Sequence, residues 1–505
     1  MSTNKFFKAM FCVTFFSVAT RALGFLLKIY LSRNLGSVLL GTYQVAMSIF
    51  GVLMTLVSSG IPVVLSRNVS YYSGQNNKKA IGSIVSSGLI LTFAICSIVS
   101  IIIIFFPNLL NVMFTSNAST EMLQILLPAL VFSSIYEVLR GALWGEQKFF
   151  VISFTEFLEQ LTRIVAIVIL FETTFLDMSL TNKTALSLSI ACIISAVVVT
   201  IIYIKFGGKI NNPKYEFKNL LKTSTPITAV RTISSIVSSI IAIIIPIRLM
   251  AYGFTETEAL SEFGIIMGMT FPLIMIPSTL ISSLAVTMIP SISEQSNDID
   301  NNNLKDKSIL KSKINFSIRT TVVFSSLLIS TFLALGIPIC RFLYDNSKAG
   351  LYLCYSAVLM LPMGISQITS SILNAIGLEL KSLKNYAVSS GLLIVCIYFL
   401  PKYIGTFALL IGYFLMSLTS SILNIKMLSK RGLIEYKFIK TIISMLAISI
   451  FSSILASSIY HLFSKILILG LIAGGIVSAG STILLVYLFN IANFKMIIFK
   501  HKHIH

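Results

Sequence analysis

Apolar runs long enough to cross a bilayer follow one another along almost the whole chain, and the segments between them are too short to fold alone. A membrane helix needs roughly 20 apolar residues. On that measure fourteen spans are expected, near 6–31, 38–66, 81–106, 121–144, 149–171, 185–206, 223–250, 262–290, 314–339, 350–375, 384–401, 405–428, 441–463 and 466–490. Charged residues make up 11% of the chain, far below the roughly 25% that a water-facing surface requires. The expected fold is therefore an all-α polytopic membrane protein. No room remains for a soluble catalytic domain, a nucleotide-binding domain or a receptor ectodomain. Lys5 and Lys8 ahead of the first apolar run imitate a signal peptide. That run carries Arg21, continues past it and shows no small-residue cleavage site, so it reads as an uncleaved first span.

The formal charge of +20 points to nucleic acid in a soluble chain. Here the basic residues sit in short clusters between apolar runs, as in loops that face an anionic leaflet, so nucleic acid is not expected as a partner. With the N-terminus inside, 25 of the 38 Lys and Arg fall in inside segments, 7 in outside loops and six within spans. That asymmetry places both termini in the cytoplasm and the protein in the cell membrane as a multi-pass chain. The clusters Lys205, Lys209, Lys214, Lys218, Lys222 and Lys426, Lys430, Arg431, Lys437, Lys440 are the clearest inside markers.

Those clusters also divide the chain. The expected organisation is an N-lobe of six spans (1–208), a cytoplasmic basic linker (209–222), a C-lobe of six spans (223–428), a cytoplasmic basic loop (429–440), spans thirteen and fourteen (441–490) and a cytoplasmic basic tail (491–505). Thr20-Arg21 opens the first helix of one half and Val230-Arg231 that of the other. Ser58-Ser59-Gly60-Ile61-Pro62 is echoed by Ser282-Ser283 and Met288-Ile289-Pro290, and Gly145-Glu146-Gln147-Lys148 by Gly377-Leu378-Glu379-Leu380-Lys381. An even number of spans per copy makes the repeat parallel, a transporter architecture.

Ionisable residues inside spans cost several kcal/mol unless they face a wet cavity or a partner. Arg21 lies in span one with Lys28 seven residues on, on the same face; Arg231 lies in span seven. Span five carries Glu156, Glu159 and Arg163 on one face, and span four carries Glu137 and Arg140. Glu137–Arg140 and Glu159–Arg163 have the spacing to pair within their own helices. Arg140 and Arg319, near span ends, are expected to snorkel to the interface, an outcome equally open to Lys28. If the first helices of the two halves face each other, Arg21, Lys28 and Arg231 converge on one cleft. Such an excess of cations calls for an anion, and guanidinium matches phosphate oxygens in fork geometry. The expected substrate-binding residues are Arg21, Lys28, Arg231, Arg163, Glu156 and Glu159. The acids keep a cation or drug antiporter open as an alternative.

Signals for chemistry are poor. His501, His503 and His505 form a short basic tail, the six cysteines lack metal-ligand spacing, and no Walker A, HExxH or GxSxG motif occurs. No catalytic residue, metal or cofactor is expected, and the chain does not read as an enzyme.

The run Thr20-Arg21-Ala22-Leu23-Gly24-Phe25, with Ser32-Arg33-Asn34-Leu35-Gly36, Gly41-Thr42-Tyr43-Gln44 and Ser58-Ser59-Gly60-Ile61-Pro62, resembles the stage V sporulation protein B group. That group stands with the MurJ-like lipid II flippases in the multidrug/oligosaccharidyl-lipid/polysaccharide exporter superfamily. The resemblance implies two six-helix lobes that alternate access and carry an undecaprenyl-linked peptidoglycan precursor outward, in spore-cortex synthesis for the sporulation members. It carries the cavity-lining role of the first-helix Arg onto Arg21. Two departures stand out: Leu27 occupies the place of a second basic residue, whose charge appears at Lys28, and Thr42 stands near an acidic position of span two. The expected partners are a lipid-linked anionic oligosaccharide, membrane lipid and an unspecified coupling ion. A membrane scaffold that recruits cell-wall synthesis enzymes is the alternative outside transport.

Overall fold

The computed structural model describes residues 3–106, 117–173, 177–213, 216–276, 278, 281, 292, 304–434, 438–463 and 465–489. The repeat segment Ser282–Pro290, the polar stretch Asn297–Asn303 of the sequence, Lys214, Lys437 and the histidine tail lie outside the described residues. Among the described residues there is no strand. By packing the chain divides into two compact units, Met1–Gly264 and Ile265–His505.

The first unit begins with α1 (Thr3–Ser58), a helical run of 56 residues. At 1.5 Å per residue such a run is about 84 Å long, more than twice a hydrocarbon core of about 30 Å. Gly36 breaks it with φ 69° and ψ 179°, a left-handed conformation that a side chain would oppose. The break falls between the two spans read from the sequence. The unit continues with α2 (Ile61–Gly74), α3 (Lys78–Phe105), α4 (Asn117–Ile125), α5 (Leu127–Gly145), α6 (Phe149–Glu172), α7 (Leu180–Lys205), α8 (Phe217–Met250) and α9 (Glu256–Gly264). Helices α4 and α5 bend by 41° where they meet. Pro128 opens α5 and lacks the N–H that would continue the ladder. A core of Ile61, Leu65, Ile84, Val85, Val138, Leu143 and Val199 joins α2, α3, α5 and α7.

Three contacts set how α1 lies in this unit. Phe16 packs edge-on against Phe150, Phe154 and Phe157, and Tyr30 lies against Phe171, so α1 and α6 run parallel. Beyond Gly36, Ser239 donates to the Ser48 carbonyl and Arg231 to that of Ser59, so this part of α1 and α8 run antiparallel. Between them Gly41 touches α9 directly: a Cβ there would stand 1.9 Å from the Leu260 carbonyl oxygen.

The second unit opens with a π-helical turn (Ile265–Thr270), followed by α10 (Leu304–Tyr344), α11 (Ser347–Ser356), a 3-10 turn (Ala357–Leu359), α12 (Met360–Ala375), α13 (Glu379–Phe399), α14 (Pro401–Ile404), α15 (Phe407–Lys430), α16 (Phe438–Leu462) and α17 (Leu467–Leu488). Hydroxyl groups fasten the last two helices to α10: Ser330 bonds Ser478 at 2.8 Å and Thr482 at 3.1 Å, and Ser449 donates to the Ser326 carbonyl. Asn424, fully buried on α15, accepts from Asn385 and donates to Thr369 and Ser370, tying α12, α13 and α15 together.

Among the described residues eleven helices are long and apolar enough to cross a membrane, or twelve if the bent α4–α5 pair counts as one span. The expectation of fourteen differs for two visible reasons. Val13–Gly74 counts once although it contains two of the expected spans. Helix α6 is long enough to cross, but Glu156, Glu159, Arg163 and Glu172 leave its apolar stretch more heavily charged than those of the eleven. The lobes at 1–208 and 223–428 rest on repeat and charge, a criterion separate from packing. Packing places α8 and α9, the counterparts of span seven and the start of span eight, with the first unit.

Candidate functional site

The turn between α5 and α6 positions the polar residues of this unit. It has three residues, with Gln147 at φ 60°; Lys148 donates its N–H to the Leu143 carbonyl and Gln147 to that of Trp144. This double bond is the usual way a helix ends when one residue turns left-handed. The turn after α12 has the same length, the same bond pair and Gly377 at φ 74° in the equivalent place. Structurally the two segments match at Gln147 and Gly377. In the first turn Lys148 also pairs with Glu146 at 2.6 Å and covers the Phe206 ring.

About two turns into α6 and one to two turns back along α5, three charges meet. The Arg140 guanidinium spans Glu137 on its own helix, at 2.9 Å, and Glu156 on α6, at 2.6 Å. All three side chains are about a third exposed or less. Arg140, expected to snorkel, is held by two carboxylates, one on each helix. The Glu137–Arg140 pair therefore forms as its spacing predicts, with Glu156 as a second partner.

The strip continues on both sides. Beyond Glu156, Glu159 feels the charge of Arg163. Arg163 donates to the Tyr43 hydroxyl at 2.7 Å, so the guanidinium leans to α1 instead of closing on Glu159. Lys28, exposed on α1, lies near enough for Arg163 to repel it. Gly24, between Arg21 and Lys28, faces the Gln160 amide of α6. Arg21 is exposed one turn before that contact, with no ion pair or hydrogen bond among the described residues. On the other side Arg231 of α8 donates to the Ser59 carbonyl at 2.9 Å and feels the charge of Glu137.

Glu156, Glu159, Arg163 and Lys28 thus lie along α1 and α6 of the first unit, with Arg231 of α8 beside Glu137; Arg21 lies about two turns before Lys28 on α1. Sequence reasoning did not foresee the Arg140–Glu156 bridge or Tyr43. Tyr43 carried a signal: a phenol inside an apolar span usually has a hydrogen-bond partner.

A family model described as polysaccharide biosynthesis protein matches residues 6–296. The chain belongs to that family. It is 23% identical over 412 residues to stage V sporulation protein B of Bacillus subtilis (strain 168), a match covering 78% of each chain. Its fold resembles that of the inward closed lipid II flippase MurJ, with a TM-score of 0.66, 18% identity, and coverage of 94% of this chain and all of the other. It also resembles an inward-facing multidrug resistance MATE family transporter, with a TM-score of 0.67, 15% identity and coverage of 82% and 94%. The resemblance read from the N-terminal motifs is borne out, and with it a multi-pass membrane protein.

Proposed function

We propose that this membrane protein is a flippase that moves an undecaprenyl-linked peptidoglycan precursor, or a related lipid-linked oligosaccharide, from the inner to the outer leaflet. The observation that supports this most is the charge balance of the strip. Its acids are largely engaged: Glu137 and Glu156 by Arg140, with Glu159 facing the charge of Arg163. Lys28 and Arg163 stand near each other as like charges, and Arg21 and Arg231 are exposed. A pyrophosphate bridging such groups relieves their repulsion and fills guanidinium forks. The prenyl tail stays in lipid, and alternating access moves the head group. The sporulation relative and the MurJ-like fold support a cell-wall role; the bias of Lys and Arg to alternate loops supports a place in the cell membrane with both termini cytoplasmic.

The acid cluster and the MATE-like fold favour one second reading, an ion-coupled antiporter. Sealed vesicles with the purified protein separate the two. The flippase reading expects protein-dependent exposure of lipid II in the outer leaflet and no uptake of cationic drugs. Drug uptake without lipid II exposure would reverse the choice.

A further inference from the structure

Helices α15 and α16 follow each other in the chain but do not pack side by side. Helix α16 lies along α10 and α17, and no comparable packing joins it to α15 among the described residues. The gap is a groove of about 790 Å³ walled by α12, α15 and α16. Leu361, Ile365, Leu418, Ile425 and Leu446 make its walls apolar, and Lys426 and Lys430 are its charged groups, at one end. The two lysines are four residues apart, one above the other on the same helix face. They belong to the basic cluster expected to face the cytoplasm.

We infer that this groove holds an anionic phospholipid of the surrounding membrane, with its phosphate on Lys426 and Lys430 and an acyl chain along α15. Charge complementarity selects the head group, since basic pockets between membrane helices recruit anionic lipids. Depth selects the tail. From Lys430 to Leu418 is twelve residues, about 18 Å of helix, close to one leaflet of a core about 30 Å thick. An undecaprenyl chain has several times the carbon of one acyl chain and overruns such a groove. The site lies wholly in the second unit and shares no residue with the charged strip, so it stands or falls independently of the flippase reading.

Native mass spectrometry of the full-length protein, titrated with phosphatidylglycerol or phosphatidylcholine, tests it. The wild type should retain phosphatidylglycerol in preference. Lys426→Gln with Lys430→Gln should weaken that retention roughly 30-fold, and Lys440→Gln should leave it unchanged. Ile425→Trp, which fills the groove but keeps both lysines, should also lower it, and decides the matter if the double variant fails to fold. Equal retention of the two lipids, wild-type retention by Ile425→Trp, or displacement of phosphatidylglycerol by equimolar undecaprenyl phosphate would each overturn the inference.

Discussion

Replacing Gly41 by alanine tests whether the close seat of α1 on α9 holds the strip in register. A Cβ at Gly41 would lie 1.9 Å from the Leu260 carbonyl oxygen and 2.8 Å from its carbon. Carbon and carbonyl oxygen normally approach to about 3.3 Å, so the helices must part by roughly 1.4 Å. The obstacle is backbone and cannot rotate aside. Gly264, on the facing helix, meets the Ser37 carbonyl just as closely, and the Ser37–Ser261 hydroxyl bond of 2.7 Å lies in the same contact. Overpacking of this kind costs about 1–3 kcal/mol, and we take the upper end. Helix propensity returns about 1 kcal/mol on Gly→Ala, leaving a net loss of about 2 kcal/mol. Gly51, on the same helix, has nothing within 4 Å of its added Cβ. There alanine should only gain, by up to about 1 kcal/mol. Thermal melts in nanodiscs should therefore place Gly41→Ala below and Gly51→Ala at or above the wild type. Because Tyr43 and its bond to Arg163 lie two residues from the contact, Gly41→Ala should also slow transport. Equal melts for the two alanine variants would refute the close-packing argument.

Three further outcomes are expected. In whole cells an impermeant thiol reagent should label Thr257→Cys and spare Lys218→Cys; the reverse pattern would invert the proposed orientation. Gln147→Gly should raise the melting temperature, since a left-handed non-glycine residue costs roughly 1–2 kcal/mol and glycine gives back part of that in the unfolded chain; a lower melt would deny the strain at that turn. Asn424→Leu should destabilise the second unit by about 1–2 kcal/mol, because membrane hydrogen bonds are individually modest but this side chain serves three partners. A neutral result in the melt would show that the network contributes nothing.

The apolar runs were legible because crossing a bilayer imposes length and hydropathy on each segment separately. The break at Gly36 and the turn at Gln147 were foreshadowed by gaps in those runs. Arg21, Lys28 and Arg231 were legible as charges in the wrong medium, which needs no knowledge of their neighbours. What each charge touches depends on helix packing, and there sequence spacing misled. Glu159 and Arg163 are four residues apart, yet the Tyr43 hydroxyl on another helix takes the guanidinium. Arg140 had an acid at i−3 in view, whereas Glu156 reaches it only because the Gln147 turn folds α6 back along α5. The groove beside α16 was invisible for the same reason: it is made by helices that fail to meet.

The most direct test of the central claim is a double-mutant cycle on Arg21 and Arg231, read by calorimetric binding of a soluble pyrophosphate-sugar analogue of the head group. Each single change to alanine should cost about 1.5–3 kcal/mol, the worth of a charged hydrogen bond. If both arginines hold one head group, the double change should cost well under the sum and flatten the salt dependence of binding. Additive losses with an unchanged salt slope, or no binding by the wild type, would contradict a shared anionic substrate site.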